Sequence, residues 1–254
     1  MFARKLTTLR VLVHLGSLAP LAVLIRDFLN DNLTVNPIQE ITFRTGKTAL
    51  VMLILTLSCT ALNTLFGFRL ALKVRRSLGL YTFLYVGLHF LTFIGLDYGL
   101  DLTLIYEAIF EKRYALVGFA AFLILLPMAI TSFRWWMKRL GQNWKRLHRL
   151  VYLAAGLVVV HYTWSVKSDY REPLAYGAVV ALLLALRLPA VRRVASNLRN
   201  RLERGRGRRA GAAGAALQRG ASGPLRVRRS VVSPVPAPPR TARRGRQAQA
   251  NDAV

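Results

Sequence analysis

Six stretches of the chain contain no Asp, Glu, Lys or Arg: residues 11–25, 48–68, 77–96, 114–133, 150–166 and 173–186. A helix needs about 20 apolar residues to cross a hydrocarbon core ~30 Å thick. The four inner runs are near that length, and the two outer ones are shorter, with 15 and 14 residues. Arg10, Arg26 and Arg187 stand at the ends of the short runs, where long basic side chains can reach back to the headgroup region. This pattern predicts a chain that crosses a membrane six times. The alternative for the short runs is a buried or re-entrant helix. The first run, preceded by Arg4 and Lys5, also has the outline of a secretory leader. No small-residue cleavage site follows it and Arg26-Asp27 comes directly after, so it reads as a span.

Charge is spread very unevenly. The 254 residues are 54% apolar yet carry a formal net charge of +26. Residues 1–189 hold 21 Lys and Arg against 9 Asp and Glu, while residues 190–254 hold 16 against 2. Within the first part, basic connections alternate with mixed ones. Arg4, Lys5 and Arg10 precede the first run; Arg69, Lys73, Arg75 and Arg76 join the second to the third; Arg134, Lys138, Arg139, Lys145, Arg146 and Arg149 join the fourth to the fifth. The other three connections carry every acidic residue of this part, among them Asp97, Asp101, Glu107 and Glu111. Lys and Arg accumulate on the cytoplasmic side of a membrane protein. The expected fold is therefore all-α: a polytopic six-helix membrane bundle over residues 1–190, both termini cytoplasmic. Residues 191–254 are rich in Arg, Gly, Ala and Pro, too poor in large apolar groups to offset the entropy of ordering. They read as a disordered basic tail near anionic lipid. No aromatic residues interleave its charges, so no nucleic-acid partner is expected.

Titratable chemistry at depth falls to histidine. There are four: His14, His89 and His161 inside the apolar runs and His148 at the cytoplasmic mouth of the fifth. The runs hold no carboxylate, and the single Cys59 excludes an internal disulfide or a cysteine-based metal cluster. An imidazole in a membrane interior suggests function, with a helix–helix hydrogen bond as the plain alternative. At 1.5 Å per residue His161 lies roughly 20 Å along the axis from His148, His89 roughly 14 Å deep, and His14 roughly 5–9 Å deep. His89 and His161 can then meet, while His14 and His148 both lie near the cytoplasmic side. Two facing imidazoles are how a helical bundle holds a low-spin haem b. One such pair is expected, and His148 with His14 makes a second conceivable. Thirteen residues put His148 and His161 about 140° apart on an ideal helix, so both face the bundle only if the helix is distorted or begins after His148. Pro20 and Pro127 are expected to kink their helices, Pro20 opening room beside a cofactor. No internal repeat, dinucleotide fingerprint or P-loop is evident.

Several motifs carry a family resemblance. Thr131-Ser132, Arg139 to Gly141, Trp144, the run from Arg146 to Ala155 and the run from His161 to Lys167 resemble the MsrQ (formerly YedZ) family, within the ferric-reductase-like transmembrane superfamily. Residues Asn36 to Thr42, Thr45-Gly46, Arg75 to Tyr81, Leu88-His89 and Val13 to Pro20 extend it over approximately residues 10–190. Lys112-Arg113-Tyr114 departs from it, since the family usually has a proline before the tyrosine, and the Arg-rich tail is longer than usual. The resemblance implies a haem b membrane subunit, with one or two haems and an associated FMN. Such a subunit passes electrons from the quinone pool or a cytoplasmic flavin reductase across the bacterial inner membrane. The acceptor is a periplasmic molybdopterin-containing methionine-sulfoxide reductase catalytic subunit that repairs oxidised proteins. It also implies that His89, His148 and His161 match the haem histidines, His14 having a counterpart of less defined role, and that the chain has no substrate-turnover site of its own.

The competing functions are a self-standing ferric or quinone reductase, weakened by the missing nucleotide domain, and a histidine-lined cation transporter, which would want carboxylates at the midplane.

Overall fold

The computed structural model describes residues 2–188 and the isolated positions 191, 193 and 197. The expectations for the tail over 191–254, and for the boundary at 190, lie outside the described residues. Contacts divide the chain into two units, Met1–Gly205 and Arg206–Val254, and the helical bundle belongs to the first.

The described residues form helices and no strand: α1 (Phe2–Leu29), α2 (Pro37–Phe66), α3 (Arg69–Leu91), α4 (Leu102–Glu111), α5 (Arg113–Ile130), α6 (Arg134–Leu140), α7 (Gln142–Leu147), α8 (Val151–Ser165) and α9 (Arg171–Ala185). A π-helical stretch, Thr92–Asp97, prolongs α3, and a 3₁₀ turn, His148–Leu150, leads into α8. Four helices are long and apolar enough to cross a membrane: Leu6–Leu29, Pro37–Phe66, Arg69–Asp97 and Arg113–Ile130. The first is longer than its uncharged run because flanking Thr and Arg residues continue the helix. The helices α8 and α9 have 15 residues each, about 22 Å of rise.

The helix α2 organises the bundle. Asn36 caps its start, accepting from the Gln39 amide at 3.1 Å, with Pro37 in the first turn. Gly67 ends it at φ +69°, its amide on the Asn63 carbonyl at 3.0 Å, a left-handed cap that glycine adopts without a Cβ penalty. One face of α2 packs Ala49, Met52 and Cys59 against Ala71, Val74, Leu78 and Tyr85 of α3. Another packs Leu53, Leu57 and Ala61 against Ala155 of α8 and Val180 and Leu183 of α9. Ala154 and Ala155 are fully buried, small residues that let α8 approach its neighbours closely. Charged groups tie one end of the bundle. Asp27 of α1 bonds Arg26 at 2.8 Å and Arg44 of α2 at 2.6 Å, and Arg44 also meets Glu40. Lys47 of α2 pairs with Glu172 of α9.

Pro20 does break the hydrogen-bond ladder of α1, but the space it opens is filled by protein. The Tyr85 hydroxyl inserts there, donating to the Ser17 carbonyl at 2.6 Å and accepting from the Leu21 amide at 3.2 Å. The connections, read from sequence only as charged linkers, contain three helices of their own: α4, α6 and α7.

Candidate functional site

His89 on α3 and His161 on α8 meet with ring centroids 6.0 Å apart and planes at 81°. The facing helices set each ring. His89 Nδ1 donates to the Thr42 carbonyl of α2 at 2.9 Å, and His161 Nδ1 donates to the Tyr114 carbonyl of α5 at 2.7 Å. A carbonyl can only accept, so Nδ1 carries the proton and Nε2 keeps the lone pair. These are the only hydrogen bonds either ring makes among the described residues, and both rings line one cavity of about 440 Å³.

The cavity is lined by both aromatic and polar residues. Phe90, Phe93, Phe119 and Phe122 line it, with Phe90 and Phe122 stacked at 4.4 Å. Asn36, Lys47, Asp97 and Lys167 line its other part. The wide turns at Thr92–Asp97 carry both Phe93 and Asp97, and irregular helical turns of this kind often mark functional sites. Two glycines back the imidazoles: a Cβ on Gly46 would sit 3.0 Å from His89 Nδ1, and one on Gly118 would sit 2.6 Å from His161 Nδ1.

This donor set suits a particular kind of metal. Among the described residues no group of three or more His, Cys, Asp or Glu gathers for a bare ion. Two imidazoles in an apolar cavity instead suit an iron that brings four nitrogens of its own, as in haem. His89 and His161, each with Nδ1 held by a carbonyl and Nε2 unbonded among the described residues, are the groups that would hold such an iron.

The other two histidines stand apart from this pair. His148 begins the 3₁₀ turn before α8, so it precedes the regular helix and escapes the 140° conflict. Its ring stacks on Trp144 at 4.1 Å, its Nδ1 donates to the Trp144 carbonyl at 3.1 Å, and its buried Nε2 has no partner. Trp144 is fixed in turn by its Nε1 on the Thr131 carbonyl at 3.0 Å. His14 is exposed on α1 and its Nδ1 lies 2.8 Å from the Tyr81 hydroxyl. A hydroxyl donates or accepts, so this contact leaves the His14 tautomer open. Three histidines therefore share one arrangement, and His14 does not.

Comparison with known proteins places the chain in a family. The family described as ferric reductase like transmembrane component matches residues 45–159. A protein-methionine-sulfoxide reductase heme-binding subunit MsrQ from Xanthomonas euvesicatoria pv. vesicatoria (strain 85-10) is 44% identical over 185 residues, 70% of this chain and 85% of the relative. The MsrQ of Rhodospirillum rubrum is 44% identical over 186 residues, 72% of this chain and 89% of the relative. The chain belongs to the MsrQ family. No solved structure matches it. The ferric-reductase match contains Gly46, His89, Gly118 and His148 and stops two residues short of His161.

Membership in the MsrQ family also puts the Lys112-Arg113 departure in context. The helix α5 begins at Arg113, the first helical position, where proline is favoured. Here Lys112 instead donates to the Tyr98 hydroxyl at 2.7 Å, which holds its ammonium above the ordinary lysine value. Gly46, Thr42 and Tyr114 fall in the stretches the family resemblance covers but carry no structural role there, and Gly118 is not singled out. The available signal was a common offset: each histidine follows its carbonyl by 47 residues.

Proposed function

We propose that this chain is a haem b membrane subunit that carries electrons to a periplasmic methionine-sulfoxide reductase. The observation that carries the reading is the His89–His161 pair, with both Nδ1 protons engaged by backbone carbonyls and a shared cavity beside the rings. A bound haem b would supply one-electron exchange between ferric and ferrous iron. In this reading His89 and His161 would hold the haem iron, and His148, with its unpartnered Nε2, would serve a second site. The phenylalanine walls exclude water, and Lys167 offers positive charge to propionates, Lys47 being paired with Glu172. His14 serves packing through Tyr81.

The membrane arrangement follows the charge pattern: six spans in the bacterial inner membrane with both termini cytoplasmic, α8 and α9 being the fifth and sixth. Electrons enter from the quinone pool or a cytoplasmic flavin reductase, with an FMN associated, and leave to a molybdopterin-containing catalytic subunit. The relatives' names, heme-binding subunits of protein-methionine-sulfoxide reductase, support this direction. The test is a reduced-minus-oxidised absorption spectrum of the purified protein, followed by mixing the reduced form with a periplasmic molybdoenzyme. A b-type signal that is reoxidised by the partner with sulfoxide present supports the proposal; a colourless, folded protein refutes it. A b-type signal that ignores the partner but reduces ferric chelates or quinones would favour a self-standing reductase.

A further inference from the structure

The two histidine seats are built alike. In α2 the Thr42 carbonyl accepts from His89 and Gly46 stands four residues later; in α5 the Tyr114 carbonyl accepts from His161 and Gly118 stands four residues later. The carbonyl-to-histidine separation is 47 residues in both. Within a helix the carbonyl of residue i already accepts from the amide of residue i+4. A second donor must approach from the side, past whatever side chain residue i+4 carries. At Gly46 a Cβ would come within 3.0 Å of His89 Nδ1 and 3.1 Å of its Cε1. At Gly118 the corresponding distances to His161 are 2.6 and 2.7 Å. Alanine at Gly118 would force the His161 ring to shift, and at Gly46 the His89 ring would have to give by a few tenths of an ångström, each away from its carbonyl. Glycines elsewhere on the histidine-bearing helices are unlike these: a Cβ on Gly87 of α3 or Gly156 of α8 meets nothing within 4 Å.

We infer that Gly46 and Gly118 are a matched pair of positioning residues. By omitting Cβ they let the Thr42 and Tyr114 carbonyls accept the histidine Nδ1–H beside their helical bonds, the Thr42 carbonyl also taking the Thr45 hydroxyl at 3.1 Å; this fixes both imidazoles as Nδ1–H tautomers and leaves both Nε2 lone pairs free on the cavity the rings line. Peptide carbonyls do this without adding net charge to an apolar site, and a hydrogen bond at the far nitrogen raises the basicity of the ligating one. The inference rests on the proposed haem site for its purpose, but the seats themselves are a property of the protein without haem.

The experiment compares Gly118→Ala and Gly46→Ala with Gly87→Ala and Gly156→Ala in the full-length protein purified from membranes. On haem-free, ¹⁵N-histidine-labelled protein, nitrogen chemical shifts report the tautomer at each ring. Wild type and both controls are expected to show His89 and His161 as Nδ1–H, and each seat variant to lose that signature at its own histidine. On haem titration the seat variants are expected to bind roughly 10- to 100-fold more weakly, Gly118→Ala more so than Gly46→Ala. Part of their low-spin spectrum should become high-spin, while the controls follow wild type. Wild-type tautomers, affinity and spectrum in both seat variants would overturn the inference while leaving the haem site intact. Failure of wild type to take up haem would overturn the proposed function instead, and the tautomer measurement would still decide the seats. If Gly118→Ala does not fold, by circular dichroism, the milder Gly46→Ala is read. Loss of fold in both, with folded controls, would make these packing positions and overturn the inference.

Discussion

Tyr85 on α3 completes the hydrogen-bond ladder of α1 through Ser17. Its hydroxyl takes the Ser17 carbonyl at 2.6 Å and the Leu21 amide at 3.2 Å, the two groups that would otherwise bond each other directly below Pro20. Tyr85 is 1% exposed and Ser17 is 2% exposed, so neither backbone group has water as a substitute. Tyr85→Phe should therefore leave both unpaired at a cost of about 1–3 kcal/mol. Thermal unfolding in detergent would show a lowered midpoint with an unchanged histidine site; an unchanged midpoint would mean that α1 reseals its ladder unaided.

Gly67 makes a similar demand through its backbone. At φ +69° it closes α2 one residue before Phe68 and the start of α3. Gly67→Ala should cost about 1 kcal/mol by forcing a side chain into the left-handed region. Equilibrium unfolding of the two proteins measures this directly, and the absorption spectrum should not change.

The Asp27 carboxylate joins Arg26 of its own helix and Arg44 of α2. Asp27→Asn should lower the thermal midpoint, and because Asp27 is buried while Arg26 and Arg44 reach solvent, raising salt should narrow the gap from wild type only in part. A gap that is insensitive to salt would assign the loss to hydrogen bonding instead.

The four histidines should separate in haem-content measurements. His14→Ala is expected to keep the wild-type haem-to-protein ratio and spectrum, since it is exposed and its hydrogen bond among the described residues is to Tyr81. His148→Ala is expected to lower the ratio while keeping the signal of the His89–His161 site. Equal losses in His14→Ala and His148→Ala would place the two in one site.

Much of this was legible in the sequence, for definite physical reasons. Four of the six uncharged runs fall mostly in helices long and apolar enough to cross a membrane, as expected where a bilayer penalises charge, and His89 and His161 stand out because nothing else in the runs titrates near neutral pH. The 3₁₀ turn that frees His148 from the helical phase of α8 left no mark in residue order. Nor did the tyrosine that repairs the Pro20 break, since hydrophobicity does not tell which hydroxyl will insert 64 residues away. Gly46 and Gly118 were the least visible. Glycines are common in membrane helices, and their meaning lies in a Cβ that is missing beside a ring brought from another helix.

Whether one iron is clasped by His89 and His161 is tested most directly by low-temperature electron paramagnetic resonance of the ferric protein. Wild type should give a low-spin signal that His89→Ala and His161→Ala each abolish or convert to high-spin, with His14→Ala unchanged. A low-spin signal surviving intact in either His89→Ala or His161→Ala would contradict that assignment.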